Sequence, residues 1–243
     1  GIHIAQSAAH NVKRVIQELG GKSPLIITED SNFEQAVEYG IGDVIVNTGQ
    51  TCTALTRWFI PKSKRTEIMT LIKSHLAKIE IGADDNCDMG PLVTHAQQQR
   101  VLEYIQLGLN EGAEIIAGGL DIPTGITKGY YVKPTVFCNV KNPMRIAQEE
   151  IFGPVICLIE YSDLEDAIEM ANDSPYGLSS AVFSKNKSEG LMIAEQLDSG
   201  MCYVNGGEYN IEAPFGGVKQ SGNGREFGDH GLTEYIELQA IHL

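Results

Sequence analysis

The sequence predicts an α/β domain built on a mostly parallel open sheet covered by helices on both faces. Three observations lead there. Short β-branched apolar runs alternate with helical patterns along the whole chain, as strand and crossover helix do in a parallel sheet. The run Leu25-Ile26-Ile27 is apolar on consecutive residues, as in a strand buried on both faces. Glycine and proline separate the runs, and no internal repeat or low-complexity tract interrupts them.

In chain order, Ile4, Ala8, Val12 and Val15 recur at three- and four-residue spacing and predict a first helix. The chain opens on Gly1 without a methionine and enters that pattern at once; either an initiator has been removed or a longer protein has been cut, and the second is the expectation. Pro24 precedes the strand Leu25–Thr28, and Asp30 or Ser31 is placed to cap a helix running to about residue 46. Residues 55–60 predict a strand, 63–79 an amphipathic helix, 94–112 another helix and 114–117 a strand. Gly118–Gly129, with Pro123, reads as a surface loop before a strand over 130–139. Strands at 154–161, 179–184 and 200–205 then alternate with helices at 163–173 and 186–197. Functional groups belong at strand ends and in loops of such a sheet.

Composition narrows the function. With 243 residues and 42% apolar content the chain can bury a conventional core. A formal charge of −14 repels phosphate backbones and anionic lipid, so nucleic acid and membrane surfaces are poor partners. No apolar stretch nears the roughly 20 residues of a membrane span, and the chain does not start like a signal peptide. Cys52, Cys87, Cys138, Cys157 and Cys202 are odd in number and scattered, with no pair or histidine cluster at metal spacing. Free thiols in a reducing, cytoplasmic compartment and no metal are the expectation.

Four segments carry candidate chemistry. Gly49-Gln50-Thr51-Cys52-Thr53 places a thiol in a polar connection between helix and strand, where it is either a nucleophile or a structural cysteine. Glu18-Leu19-Gly20-Gly21-Lys22 puts a carboxylate at what reads as a helix end; it is either a site residue or a solvated terminus. Glu149-Glu150-Ile151-Phe152-Gly153-Pro154 holds an acidic pair and an aromatic ring before a strand, and only one of the glutamates need face a site. Pro214-Phe215-Gly216-Gly217 and the glycine-rich stretch to Glu226 match neither a Walker pattern nor a dinucleotide fingerprint.

Taken together, Glu-Leu-Gly-Gly-Lys-Ser-Pro at 18–24, Gly-Gln-Thr-Cys at 49–52, Glu-Glu-Ile-Phe-Gly-Pro-Val at 149–155, Asn-Asp-Ser-Pro-Tyr-Gly-Leu at 172–178 and Pro-Phe-Gly-Gly at 214–217 resemble the aldehyde dehydrogenase superfamily in order and near spacing. The resemblance covers the chain, and only about the C-terminal half of a typical member. It implies that Cys52 is the nucleophile and Glu18 the general base. Glu150, Phe152, Leu19 and Gly20 would contact an NAD or NADP cofactor, and Thr51, Thr53 and Phe215 would line the substrate tunnel. It further implies that residues 1–18 close a cofactor-domain segment, with Gly1 the last glycine of its turn. Residues 19–234 would form the catalytic domain, and Tyr235–Leu243 a strand used in assembling homodimers or homotetramers.

On that resemblance, the Cys52 thiolate adds to a small-molecule aldehyde, hydride leaves for the nicotinamide, and Glu18 activates water to hydrolyse the thioester. Oxyanion donors at about 3 Å contribute roughly 3–4 kcal/mol each. One is the Cys52 N–H, and the other belongs to the half of the family fold outside this chain, so the chain alone is not expected to transfer hydride. Two readings compete: a crystallin-like structural protein, which the presence of both Cys52 and Glu18 disfavours, and a CoA-acylating aldehyde dehydrogenase, which Glu18 disfavours. The segment between Asn205 and Pro214 is one residue shorter than the usual form, and its Glu208 and Glu212 suit either a cationic aldehyde or a solvated loop. The stretch Gly82–Gly90 also departs from the usual form and has no functional reading.

Overall fold

A computed structural model describes residues 1–243. Its centre is a seven-stranded sheet in the order β4 (Glu114–Ala117), β5 (Thr135–Cys138), β6 (Val155–Tyr161), β3 (Arg57–Pro61), β2 (Pro24–Ile27), β8 (Ser179–Phe183) and β9 (Met201–Val204). Only β4 runs antiparallel to its neighbour. The register sets Leu25 beside Trp58 and Ala181, and Trp58 beside Leu158.

Side chains alternate between two cores, as strand geometry requires. Ile26, Phe59, Cys157, Ile159 and Val182 pack on one face with Val101 and Ile105 of α4 (His95–Asn110), Ala167 and Ala171 of α6 (Leu164–Asn172), and Ile193 of α7 (Lys187–Ala194). Leu25, Trp58, Leu158 and Phe183 pack on the other, against α2 (Phe33–Ile45) and α3 (Arg65–Leu76). The central strands are therefore buried on both faces, which is why Leu25–Ile27, Trp58–Ile60 and Ala181–Phe183 read as apolar runs. The later helices are capped by their own side chains: Thr94, Asp163 and Asn186 accept the first free N–H groups of α4, α6 and α7.

Several boundaries differ from the sequence expectation. α1 (Ile2–Ala9) stops well before Val12, which sits at φ 54°, because no residue of α1 is buried and nothing rewards its extension. Asn32, not Asp30 or Ser31, caps α2; Asp30 instead accepts from the Thr28 hydroxyl and the Lys185 N–H. The strand expected over 130–139 shrinks to β5, beginning just after Pro134, which has no N–H to give a ladder. The expected helix over 63–79 is a short 3₁₀ turn, Lys62–Lys64, followed by α3. Tyr235–Leu243 forms no strand in this chain, touching it through an Arg14–Glu237 ion pair at 3.8 Å, and Leu238 and Leu243 are fully exposed.

The remaining elements are small and local. β1 (Gln17–Glu18) pairs antiparallel with β11 (Gly222–Asn223), and β7 (Tyr176–Gly177) with β10 (Val218–Lys219). α5 (Arg145–Gln148) leads into the 149–154 segment, and α8 (Gly228–Thr233) lies near the C-terminus. No helix is long and apolar enough to cross a membrane.

Candidate active site

The loops that enter β2, β3 and β6 meet at the amino ends of these parallel strands, so residues 18–23, 49–53 and 150–152 converge. Open α/β sheets more often bind ligands at the carboxyl ends. Two glycines allow the convergence. The Gly21 N–H donates to Glu150 Oε1 at 3.1 Å. A Cβ on Gly20 would lie 2.1 Å from Glu150 Oε2, and one on Gly21 would lie 2.6 Å from the Cys52 carbonyl oxygen. A side chain at Gly21 would meet fixed backbone, and one at Gly20 would have to displace the Glu150 carboxylate.

Cys52 lies on a half-buried turn whose approach is tightly held. The Asn47 side chain donates to the Gln50 carbonyl and the Gln50 side chain to the Asn47 carbonyl, both at 2.9 Å. Gln50 Oε1 also accepts the Val93 N–H at 2.9 Å, and Thr48 Oγ1 donates to the Gly90 carbonyl at 3.0 Å. Burial pushes the Cys52 thiol above its usual pKa; the Cys52 N–H opposes this, and the carboxylates of Glu150 and Glu18 add to it. Thr51 and Thr53 flank it, both half-buried.

Glu18 is on β1, not at a helix end, so Gly20 and Gly21 serve close approach and not a helix C-cap. Although the residue as a whole is half-exposed, both of its carboxylate oxygens are shut off from solvent and neither has a hydrogen-bond donor. Burial, and secondarily the Glu226 carboxylate, push its pKa up to about 7, with Arg225 pulling the other way. Gly216 closes over it: a Cβ there would sit 2.8 Å from Glu18 Oε1. A carboxyl poised near neutrality, with free lone pairs, can accept a proton from water.

Phe152 is exposed and sits at φ 60°, a left-handed backbone that costs an aromatic residue ~1–3 kcal/mol. Side chains of α4 hold this turn by its carbonyls. Gln97 Nε2 donates to Ile151 O at 3.2 Å and Phe152 O at 2.7 Å, and Arg100 donates to Glu150 O at 2.7 Å and Ile151 O at 3.3 Å. Burial raises the Glu150 pKa, opposed by the Gly21 N–H and by the cations of Lys22 and Arg100. Glu149 points the other way, to Arg145.

Phe215 is half-buried and its ring meets Phe227 edge-on at 6.0 Å; Phe227 in turn meets Tyr209 at 6.4 Å. Leu19 lies on a groove of ≈720 Å³ with Gly1, Ile2, His3, Gln17 and Asn223. The structure thus brings Cys52, Glu18, Glu150 and Gly20 together, with Phe152 at the rim and Leu19 on the adjoining groove. Sequence reasoning missed Gln97, Arg100, Arg225 and Glu226. The only signal for the first pair was their three-residue spacing on one helix. It also missed Lys22 and Arg57, cations only 2% and 1% exposed beneath the site; Arg57 donates to the carbonyls of Lys22, Met170 and Ala171.

Fold and site define a class: a doubly covered, mostly parallel α/β domain in which a thiol and two desolvated carboxylates converge at strand amino ends. Residues 1–241 match the model of the Aldehyde dehydrogenase family. The chain is 44% identical over 243 residues to 3-succinoylsemialdehyde-pyridine dehydrogenase of a Pseudomonas species, covering 99% of this chain and 51% of that protein. It is similar to a cysteine-to-alanine mutant of aldehyde dehydrogenase C from Pseudomonas syringae in complex with NAD+ and octanal, with TM-score 0.95, 42% identity, and coverage of 97% of this chain and 49% of the other. A Mycobacterium tuberculosis aldehyde dehydrogenase complexed with NAD+ gives TM-score 0.93, 39% identity, and coverage of 97% and 49%. The chain belongs to the aldehyde dehydrogenase family, and it spans about half the length of the curated relatives it matches.

Proposed function

We propose that this chain is the catalytic part of an NAD- or NADP-dependent aldehyde dehydrogenase, oxidising an aldehyde to a carboxylic acid through a thioester on Cys52. The observation that carries this reading is the pairing of a thiol with an unpartnered carboxyl whose pKa stands at about 7. The relatives solved with NAD+ support the cofactor.

The residues present fit that cofactor. Glu150 is fixed through one oxygen by the Gly21 N–H and keeps acceptor capacity for ribose hydroxyls, and the exposed Phe152 ring offers an apolar face. Gly20 and Leu19 supply a backbone and an apolar side chain beside them. The chemistry a bound nicotinamide supplies is acceptance of hydride.

Cys52 adds as the thiolate to the aldehyde carbon, and its backbone N–H is the oxyanion donor this chain contributes. Loss of hydride from that carbon leaves a thioester on Cys52. Glu18 then takes a proton from water, the oxygen attacks the thioester carbonyl, and collapse frees the acid and the thiolate. Thr51, Thr53 and Phe215 shape the space for the aldehyde. The exposed Tyr235–Leu243 segment is proposed to pair between copies of the full-length protein in a homodimer or homotetramer. Five free cysteines are in keeping with a cytoplasmic address.

The test is steady-state NAD and NADP reduction by the full-length protein across aliphatic, aromatic and cationic aldehydes, beside Cys52→Ala. Turnover that disappears in the variant is expected. Turnover that survives it rules out the thioester route.

A further inference from the structure

Glu149 and Glu150 are adjacent, yet only Glu150 faces the site. Glu149 accepts from Arg145 Nε at 2.7 Å and from a second Arg145 nitrogen at 3.0 Å. It also accepts from the Tyr104 hydroxyl at 2.6 Å. That same hydroxyl accepts from Arg100 at 3.4 Å, and the Arg100 guanidinium lies over the Tyr104 ring, 4.9 Å from its centroid. Arg100 in turn donates to the carbonyls of Glu150 and Ile151. A continuous line of charge-assisted contacts therefore runs from α5 through Glu149 and α4 to the backbone of the turn that carries Glu150 and Phe152.

We propose that Arg145, Glu149 and Tyr104 are positioning residues that fix the Arg100 guanidinium, and through it lock the 150–152 turn in the conformation that presents Glu150 and Phe152 to the nicotinamide end of the cofactor. The cofactor end of this proposal rests on the function proposed above.

The physical need is specific. Arg100 is exposed and its long side chain has many rotamers, so two bonds to carbonyls would hold it loosely. Tyr104 gives it a flat face to stack on and an oxygen to point at, and a hydroxyl can donate to Glu149 while accepting from Arg100. Glu149 fixes which way that hydroxyl points. Hydrogen bonds from Arg145 and then Tyr104 hold the Glu149 carboxyl below its usual pKa, so this acceptor stays ionised at neutral pH. Left-handed Phe152 is the part of the turn most ready to relax, since its φ of 60° is one an aromatic residue rarely adopts. Its own carbonyl is held only from α4, by Gln97.

Three variants test the line: Tyr104→Phe, which keeps the ring and removes the hydroxyl; Glu149→Ala; and Glu149→Gln, whose amide oxygen still accepts from Tyr104. The first readout needs no cofactor: the initial rate of chymotrypsin nicking after Phe152, with nicking after exposed Tyr130 as internal control. Tyr104→Phe and Glu149→Ala should raise nicking at Phe152 several-fold with Tyr130 unchanged, and Glu149→Gln should restore most of the protection. In the full-length protein the same two variants should raise KM for NAD several-fold and leave kcat within about two-fold, as expected for lost ground-state positioning. Unchanged nicking at Phe152, equal acceleration at Tyr130, or no rescue by glutamine overturns the positioning role. Faster nicking with an unchanged KM leaves the lock standing and overturns its link to the cofactor.

Discussion

Replacing Glu18 by glutamine removes a proton acceptor while keeping shape, and the structure gives its consequence a definite pH signature. The Glu18 carboxyl stands at about 7 against an ordinary 4.5, because its oxygens are desolvated beside Glu226. With that value the ionised fraction climbs from ~10% at pH 6 to ~90% at pH 8, so base-assisted deacylation of Cys52 should rise about ten-fold and then level off. At 4.5 the same interval would be flat. In Glu18→Gln the assisted path is gone, deacylation falls ~10²–10⁴-fold, and what remains follows hydroxide, rising about 100-fold over the two pH units. The assay uses this chain alone: Cys52 is acylated with an activated aryl ester, and loss of the acyl mass is followed after a pH jump, with Cys52→Ala correcting for the other thiols. A wild-type rate that is flat between pH 6 and 8, or a glutamine variant that deacylates within about two-fold of wild type, refutes the assignment of Glu18.

The same shift has a stability consequence of fixed sign. Because the folded pKa is raised, the neutral carboxyl favours the fold; that contribution is complete below 4.5 and lost as pH rises through about 7. At ~1.4 kcal/mol per pH unit the full gap is about 3 kcal/mol, and solvent screening of this half-exposed residue reduces it to about 1 kcal/mol. Glu18→Gln should therefore be more stable than wild type at pH 8, by about that amount in urea melts, and equal to it at pH 4.

Three further outcomes follow from particular contacts. Glu150→Gln removes a negative charge that raises the Cys52 thiol, so iodoacetamide alkylation of Cys52 at pH 8 should speed up; slower alkylation contradicts the electrostatics described. Gly20→Ala drives a Cβ to 2.1 Å from Glu150 Oε2 and should expel that carboxylate, raising KM for NAD in the full-length protein at least ten-fold; an unchanged KM removes Glu150 from the cofactor site. Arg57→Met leaves the carbonyls of Lys22, Met170 and Ala171 without a donor and should cost about 3–5 kcal/mol in chemical denaturation, whereas a loss under about 1 kcal/mol means that buried water replaces the guanidinium.

The amino-acid sequence by itself determined the parallel α/β class and the strands at 25–27, 155–161 and 179–183, whose apolar runs reflect burial on both faces, and it also located the less buried edge strand at 114–117. The sequence pattern likewise placed helix starts at 94, 163 and 186, where the Thr94, Asp163 and Asn186 side chains cap the helices. The resemblance of the ordered motifs to the aldehyde dehydrogenase superfamily singled out Cys52, Glu18, Glu150 and Phe152 as belonging together. Tertiary structure alone decided the rest. Glu18 sits on a strand because its partner, Gly222–Asn223, is some 200 residues away in the chain, and no local pattern can report such a ladder. The placing of the site at the amino ends of the strands depends on the loops entering β2, β3 and β6 meeting there, and the division of labour between Glu149 and Glu150 depends on Arg100 and Tyr104 of a helix about 50 residues earlier. The raised pKa of Glu18 follows from burial beneath Gly216 and from the Glu226 carboxylate, against the opposing pull of Arg225. Desolvation and charge depend on which groups meet in space, and chain order encodes that only through the complete fold.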